Sequence, residues 1–315
     1  MKRIGNLYNK ICDIDNLILA DKKARIGKSK NKDVIEFDKN YDNNILNLNQ
    51  ILLNNNYNTS EYKIFTIFDP KEREIYKLPY YPDRIVHHAI MNILEPIFVS
   101  TFTKDTYNCI KNRGIHKGLN SLNKALKNKE ETQYCLKLDI KKFYPNIDND
   151  ILKELLLKKF KDKNLLSLLS NIIDSCKGQP IGNYLSQYFA NFYLSYFDHW
   201  IKETLKVKYY FRYCDDLVIL GSNKQELHRI LHLIEQYLNV NLKLKIKSNY
   251  QIFPVKSRGI DFLGYKSYHT HILLRKSIKL RFIRMIRKNN NKKSIASYNG
   301  WLSHCNSINL KNKYL

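Results

Sequence analysis

Asp215 and Asp216 stand side by side in Tyr213-Cys214-Asp215-Asp216, between the apolar runs Tyr209-Tyr210-Phe211 and Leu217-Val218-Ile219-Leu220. Two adjacent carboxylates at the tip of a strand–turn–strand repel each other while their flanks pull the backbone into a core. A divalent cation relieves that repulsion, and magnesium takes one or two protein carboxylates together with substrate phosphates. A pair of such ions holds both the attacking and the leaving oxygen of a phosphoryl transfer. For these four residues alone a solvated Asp-Asp turn is the better reading. A third acid changes the balance: Asp139 ends the apolar segment Cys135-Leu136-Lys137-Leu138-Asp139-Ile140. One carboxylate at a strand end and two at a hairpin tip make the three-acid set that two-metal nucleotidyl transfer needs.

The elements that must position these acids follow from periodicity. Residues 1–55 are expected to be helical and basic, with Ile45, Leu48, Ile51 and Leu52 at helical spacing. Glu61–Leu78 reads as a hairpin whose strands, Lys63–Phe68 and Glu74–Leu78, are joined through Asp69-Pro70-Lys71-Glu72-Arg73. Pro82 announces a helix from Asp83 to Phe98. Asp148 or Asn149 caps a helix over Ile151–Phe160, and a long helix spans Leu185–Leu205. The Asp215 hairpin follows, then a helix over Lys224–Leu238 and strands at Leu242–Ile246, Gly259–Tyr265 and Ile272–Leu274. The tail from Ser277 reads as two basic amphipathic helices broken near Asn289-Asn290-Asn291. This order describes an α+β fold with helical elements at both ends.

Composition points to a polyanionic partner. Lys and Arg total 54 against 29 acids, a net charge of +25 over 315 residues. AT-rich coding explains part of the lysine but not the missing acids, and such a surplus suits phosphate contacts with counterion release. The 23 Tyr and 14 Phe add surfaces on which bases stack, although most belong to the core. The six cysteines are scattered without a Cys-x-x-Cys pair, which argues for reduced thiols and against zinc. No apolar run approaches membrane-spanning length, so a cytoplasmic protein with no membrane partner is expected. His87 and His88 read as structural.

Leu138-Asp139-Ile140-Lys141-Lys142-Phe143-Tyr144-Pro145-Asn146-Ile147-Asp148 resembles the first catalytic block of reverse transcriptases, and Tyr213-Cys214-Asp215-Asp216 their second. Pro82-Asp83-Arg84-Ile85-Val86 is similar to the fingers–palm block. Arg258-Gly259-Ile260-Asp261-Phe262-Leu263-Gly264-Tyr265 resembles the primer grip, and Ser297-Tyr298-Asn299-Gly300-Trp301 a thumb helix. The resemblance implies an α+β right-hand polymerase. Its fingers would cover 1–84, its palm 85–265 with an inserted fingers segment around 100–133, and its helical thumb 266–315. It implies RNA-directed DNA polymerisation with template RNA, a DNA or RNA primer and dNTPs, and two Mg2+ ions or Mn2+ in their place.

The same resemblance assigns residues. Asp139, Asp215 and Asp216 are the catalytic acids, and Ile140 joins them in the metal set. Lys71, Arg73, Phe143, Tyr144, Ile181, Gly182, Gln187 and Lys247, with Lys245 as the alternate to Lys247, would contact the nucleotide. Arg84, Tyr213, Cys214, Leu263 and Gly264 would contact primer or template, with bracing the favoured role for Arg84. Gly178-Gln179-Pro180-Ile181-Gly182 and Ser186-Gln187-Tyr188-Phe189-Ala190-Asn191 depart from the Gln-Gly-x-x-x-Ser-Pro of most bacterial enzymes. Ile181 and Gln187 instead resemble reverse transcriptases of diversity-generating retroelements. Those enzymes miscopy adenines of a template-repeat RNA, and the cDNA replaces a variable repeat (mutagenic retrohoming). They imply a bacterial or phage-encoded enzyme working with a small basic oligomeric accessory protein. Cys214 stands where that subfamily more often has Met. The alternatives are a retron or group II intron type of enzyme, or a template-independent polymerase of a phage-defence system.

Overall fold

In the computed structural model, which describes residues 3–68, 72–288 and 291–314, the basic N-terminal region forms four helices. These are α1 (Tyr8–Cys12), α2 (Ile14–Ala24), α3 (Lys32–Asp38) and α4 (Tyr41–Leu53). The last buries Ile45, Leu48 and Leu52 of the stripe its spacing predicts, together with Asn49, while Ile51 is only half-buried. The hairpin follows as β1 (Lys63–Phe68) and β2 (Glu72–Lys77). Pairing continues to Phe68 opposite Glu72, so Glu72 and Arg73, expected in the turn, belong to the strand. The expected turn residues Asp69, Pro70 and Lys71 lie outside the described residues. Helix α5 (Ile85–Thr101) begins after a wide turn at Tyr80–Arg84. There the buried Asp83 accepts hydrogen bonds from the Tyr57 hydroxyl and the Ser60 amide.

Helix α6 (Ile115–Leu126) precedes β3 (Tyr134–Asp139). Then come α7 (Asn149–Lys159), α8 (Lys163–Asp174), α9 (Tyr184–Tyr193) and α10 (Ser195–His199). Asp148 caps α7, accepting from the amides of Asp150 and Ile151. The single helix expected over Leu185–Leu205 is instead α9, α10 and a wide turn at Trp200–Thr204. Strands β4 (Tyr209–Tyr213) and β5 (Asp216–Gly221) form the acid-bearing hairpin, followed by α11 (Lys224–Leu242). Leu242 was expected to open a strand. It ends α11 instead, because the buried positions Leu231, Ile234, Leu238 and Leu242 keep helical spacing, and Lys243 leaves the helix with φ +51°. Of that expected strand only Ile246 pairs, in a bridge to Ile140.

The chain closes with β6 (Gln251–Pro254), α12 (Val255–Arg258), β7 (Ile260–Phe262), β8 (Tyr265–Ser267), β9 (Ile272–Leu274), α13 (Lys276–Lys288), α14 (Lys292–Leu302) and α15 (Ile308–Tyr314). The strand expected over Gly259–Tyr265 is split by Leu263 and Gly264, both at positive φ (55° and 86°). A β-carbon on Gly264 would sit 2.5 Å from the Trp301 ring, so only glycine fits there. Of the expected break between the tail helices, Asn289 and Asn290 lie outside the described residues, and Asn291 caps α14.

Two compact units result. One comprises Met1–Thr103, Lys142–Tyr196 and Asn239–Leu244. It is mainly helical, and Phe98 of α5 sits among Phe160, Phe189 and Phe192. The other comprises Lys104–Lys141, Phe197–Leu238 and Lys245–Leu315. It holds an antiparallel sheet of order β4-β5-β3-β6 and a smaller one of order β7-β8-β9. Among the described residues no helix is long and apolar enough to cross a membrane.

Candidate active site

Strand pairing brings the three acids together in the second unit. Asp139, the last residue of β3, is directly opposite Asp216, the first residue of β5. Asp215 lies in the turn before it, and its carbonyl accepts the Ile140 amide at 3.1 Å. Ile140 itself is fully buried. The Asp139 main chain is clamped from the other side, its carbonyl accepting the Lys247 amide at 2.9 Å. The Lys247 ammonium lies 3.4 Å from the Asp139 carboxylate. Lys245, the alternate, uses its carbonyl to accept the Lys141 amide.

Burial pushes the Asp216 carboxyl up from 3.8 to about 7; Lys137 opposes the rise, and the charges of Asp139 and Asp215 add to it. Burial also raises Asp215, with the Asp139 charge adding to the rise. One Asp216 oxygen, Oδ1, is buried with no hydrogen-bond partner among the described residues. Its other oxygen takes the Lys137 ammonium at 3.3 Å. An orphaned buried carboxylate oxygen within a self-repelling set of acids has the chemistry a divalent cation prefers, although among the described residues no three such side chains converge as a ready-made metal cluster.

Lys137 was not anticipated. It is two residues before Asp139, so alternation puts both on one face of β3, and it also donates to the Asp261 carbonyl of β7. Arg212 was missed too, although a charge inside Tyr209-Tyr210-Phe211-Arg212 demands a buried partner. That partner is Asp198 on α10, and both side chains are 0% exposed. Arg212 donates from Nε at 2.8 Å and Nη2 at 2.6 Å, while Tyr210 and Thr106 hydroxyls donate to the same carboxylate. Arg212 Nη1 reaches forward to the Cys214 carbonyl at 3.1 Å. Cys214 is left-handed, with φ +58°, and its amide donates to Asn108 Oδ1 at 2.9 Å. The acid-bearing turn is therefore held from beneath by a buried ion pair and at its tip by Asn108. Tyr213 pairs with Asp216 across β4–β5 and packs on the apolar cluster beside it. Leu263 and Gly264 form the β7–β8 turn, and the Gly264 carbonyl accepts the Arg275 amide.

The remaining expected residues lie in the first unit. Phe143 is buried and Tyr144 half-buried, with rings 5.6 Å apart. The Tyr144 carbonyl accepts the Gln179 amide at 2.9 Å. A β-carbon on Gly178 would lie 2.6 Å from the Pro145 carbonyl oxygen, so glycine permits this approach. The half-buried Ile181 accepts the Tyr76 amide of β2 at 2.8 Å through its carbonyl. Gly182, at φ +111°, lies so close that a β-carbon would be 2.9 Å from the Tyr76 oxygen. The 178–182 segment is thus fixed to both Tyr144 and the hairpin. Arg73 is exposed on β2 and Gln187 exposed on α9. Arg84 donates from Nε to the Ala24 carbonyl at 3.1 Å. Lys71 lies outside the described residues.

The profile of the family described as reverse transcriptase (RNA-dependent DNA polymerase) matches residues 68–267. Protein YkfC of Escherichia coli (strain K12) is 22% identical over 234 residues, covering 60% of this chain and 61% of that protein. The putative COX1/OXI3 intron 2 protein of Saccharomyces cerevisiae is 22% identical over 254 residues, covering 58% of this chain and 29% of that protein. The chain spans less than two thirds of the length of either relative. Among solved structures, telomerase from Candida albicans in complex with a TWJ fragment of telomeric RNA superposes with a TM-score of 0.50 at 12% identity, over 70% of this chain and 46% of that one. Apo telomerase from Candida tropicalis truncated from its C-terminal domain gives 0.50 at 16% identity, over 73% and 59%. The likeness is one of fold, and with the family match it supports the α+β right-hand polymerase class.

Proposed function

The chain belongs to the reverse transcriptase (RNA-dependent DNA polymerase) family, and from that premise we propose that it copies RNA into DNA by two-metal nucleotidyl transfer. The observation that carries this reading is the register of Asp139 opposite Asp216, which gathers three carboxylates from two separate parts of the sequence. Asp139, Asp215, Asp216 and Ile140 would hold the ions. Bound magnesium neutralises triphosphate charge and activates the primer hydroxyl. Lys247, whose ammonium lies 3.4 Å from the Asp139 carboxylate, is assigned the proton that the departing pyrophosphate takes. Arg73 and Lys71 are assigned to the triphosphate. Arg84, donating to a main-chain carbonyl, braces the fold. Tyr213, Cys214, Leu263 and Gly264 are assigned to the primer terminus. In this reading residues 1–84 are fingers, 85–265 palm with an inserted fingers segment around 100–133, and 266–315 a helical thumb, and the template is RNA.

Tyr144 is assigned to the sugar, where its ring would collide with a ribonucleotide 2′-hydroxyl. Tyr144→Ala is expected to cut discrimination against ribonucleotides by about one to two orders of magnitude, the range that apolar pocket shape supplies. Competition between dNTP and rNTP in single-nucleotide extension measures it; an unchanged ratio moves the gate elsewhere.

We further propose the diversity-generating role, with adenine-selective errors, an accessory protein and a cytoplasmic setting. Ile181 supports it. The hydrogen bond it makes to β2 uses its main chain, which leaves an aliphatic side chain where a glutamine would offer a directional partner to the pair. Discrimination by apolar contact is worth only about 10–200-fold, against far more for hydrogen bonding. Misincorporation on the order of one in ten to one in two hundred is therefore expected opposite template adenine, with far fewer errors elsewhere, and Ile181→Gln or Ile181→Asn should reduce it. Sequencing cDNA from a defined RNA decides the matter. An even spectrum over the four bases counts against this role and for an intron or retron type of enzyme.

A further inference from the structure

The second unit contains a cavity of about 690 Å³, lined by none of the residues assigned above to metal, nucleotide, template or primer. Its wall lies wholly within that unit, built from β3, β6, the α12–β7 turn, β8 and the start of α13. Five cations line it, Lys137, Arg258, Lys266, Arg275 and Lys276, against a single acid, Asp261. Two of the five are matched: Arg275 pairs with Asp261, and Lys137 reaches Asp216 at 3.3 Å. No acid pairs with Arg258, Lys266 or Lys276 among the described residues. Arg258 lies over the Phe253 ring instead, and Lys266 over Tyr268. A concavity lined by one sign of charge focuses the field and gathers counter-anions. Helix α13 opens on it with no acid in its first turn, so the amides there add to that field.

We infer that this cavity binds a small molecule through a chain of three linked phosphates, held by Arg258, Lys266 and Lys276. The charge count selects that ligand. Three unmatched cations line one space, and a linked polyphosphate brings at least one negative charge per phosphorus, with a single oxygen between neighbours. A nucleic-acid strand brings one charge per nucleotide, with a sugar between neighbours. The volume falls within the roughly 300–1,000 Å³ of small-molecule sites. Lys137 couples the cavity to the acids, because its ammonium lines the cavity and also holds Asp216. An anion bound here therefore competes with Asp216 for one cation. The inference stands apart from the polymerase reading, since binding needs no nucleotidyl transfer.

The test is calorimetric titration of the full chain with sodium tripolyphosphate at pH 8, in EDTA and at physiological ionic strength. One saturable site per chain is expected. Arg258→Ala and Lys276→Ala, both at exposed positions, should each weaken it about tenfold or more, the worth of one charged hydrogen bond. Asp216→Asn should tighten it, because Lys137 then serves the cavity alone. Changing Lys292 and Lys293 together to Ala removes two exposed charges that do not line the cavity, and should leave the affinity unchanged. Equal weakening by that control, or binding that never saturates, overturns the site and reduces it to the general attraction of a +25 chain. Repeating the titration with ATP separates the sources. Tighter binding than tripolyphosphate, with the same loss in Arg258→Ala, assigns the site to nucleoside polyphosphates; weaker binding assigns it to the inorganic chain. Displacement of tripolyphosphate by an equimolar short single-stranded DNA, itself weakened as much by Arg258→Ala, gives the cavity to a strand and overturns the inference.

Discussion

Asp139→Ala and Asp215→Ala are each expected to abolish magnesium-dependent primer extension while RNA binding persists. The ions contribute several kcal/mol of charge stabilisation in the transition state, and each 1.36 kcal/mol is tenfold in rate, so a loss of roughly three orders of magnitude or more is expected. RNA binding depends on a surplus of 25 positive charges that one acid barely alters. A variant that extends primers at the unaltered rate sinks the metal assignment. Folding offers a second readout. The Asp216 carboxyl is pushed from 3.8 to about 7, so between those values the folded chain holds a proton that the unfolded chain has released. Stability without divalent metal should therefore fall as pH rises from about 4 to about 7. Asp216→Asn should raise the melting temperature at pH 8 in EDTA even as it removes activity. A lowered melting temperature there would mean that the carboxylate is compensated by something other than a metal.

The second large effect concerns the ion pair beneath the acid-bearing turn. Arg212 and Asp198 are both fully buried, so truncating either leaves an uncompensated charge in the core, a loss of about 3–5 kcal/mol. Asp198→Ala should shift the urea midpoint downward at unchanged slope. The paired change Arg212→Met with Asp198→Leu should recover much of that stability. It should not recover full activity, because no guanidinium then donates to the Cys214 carbonyl. A single variant within about 1 kcal/mol of the parent would show that water reaches the site.

What the sequence revealed, and what it hid, follows from the range of the interactions. The acid pairing was legible because Asp139 and Asp216 each border a short, largely apolar run bounded by turn residues, which reads as a buried strand. The β1–β2 hairpin and the Asp148 cap were legible because their causes are local. Arg212 and Lys137 were not, since each is explained by a partner far along the chain, Asp198 and Asp216 respectively. The extent of α11 was misjudged because Leu242 and Leu244 alternate like a strand while Leu242 also completes a helical stripe. The split between β7 and β8 was hidden because it depends on Trp301 closing over Gly264. Ile181 was singled out by resemblance, but its attachment to Tyr76 could only be seen in three dimensions.

The strand order β4-β5-β3-β6 has a consequence for synthesis. Its earliest-made member, β3, is an inner strand, and neither neighbour exists when it leaves the ribosome. Both its edges stay open until residues 216–221 and then 251–254 are made. The first unit waits as well, since its last segment ends at Leu244. From residue 139 to residue 254 is 115 residues, roughly 6 to 23 s of translation at about 5–20 residues per second, before Cys135, Leu136 and Leu138 have both neighbouring strands to join. Nascent chains of this protein therefore present a bare apolar edge of the kind that pairs between molecules. Slower synthesis lengthens that exposure, and holdase chaperones that cover such edges should raise the yield of soluble protein.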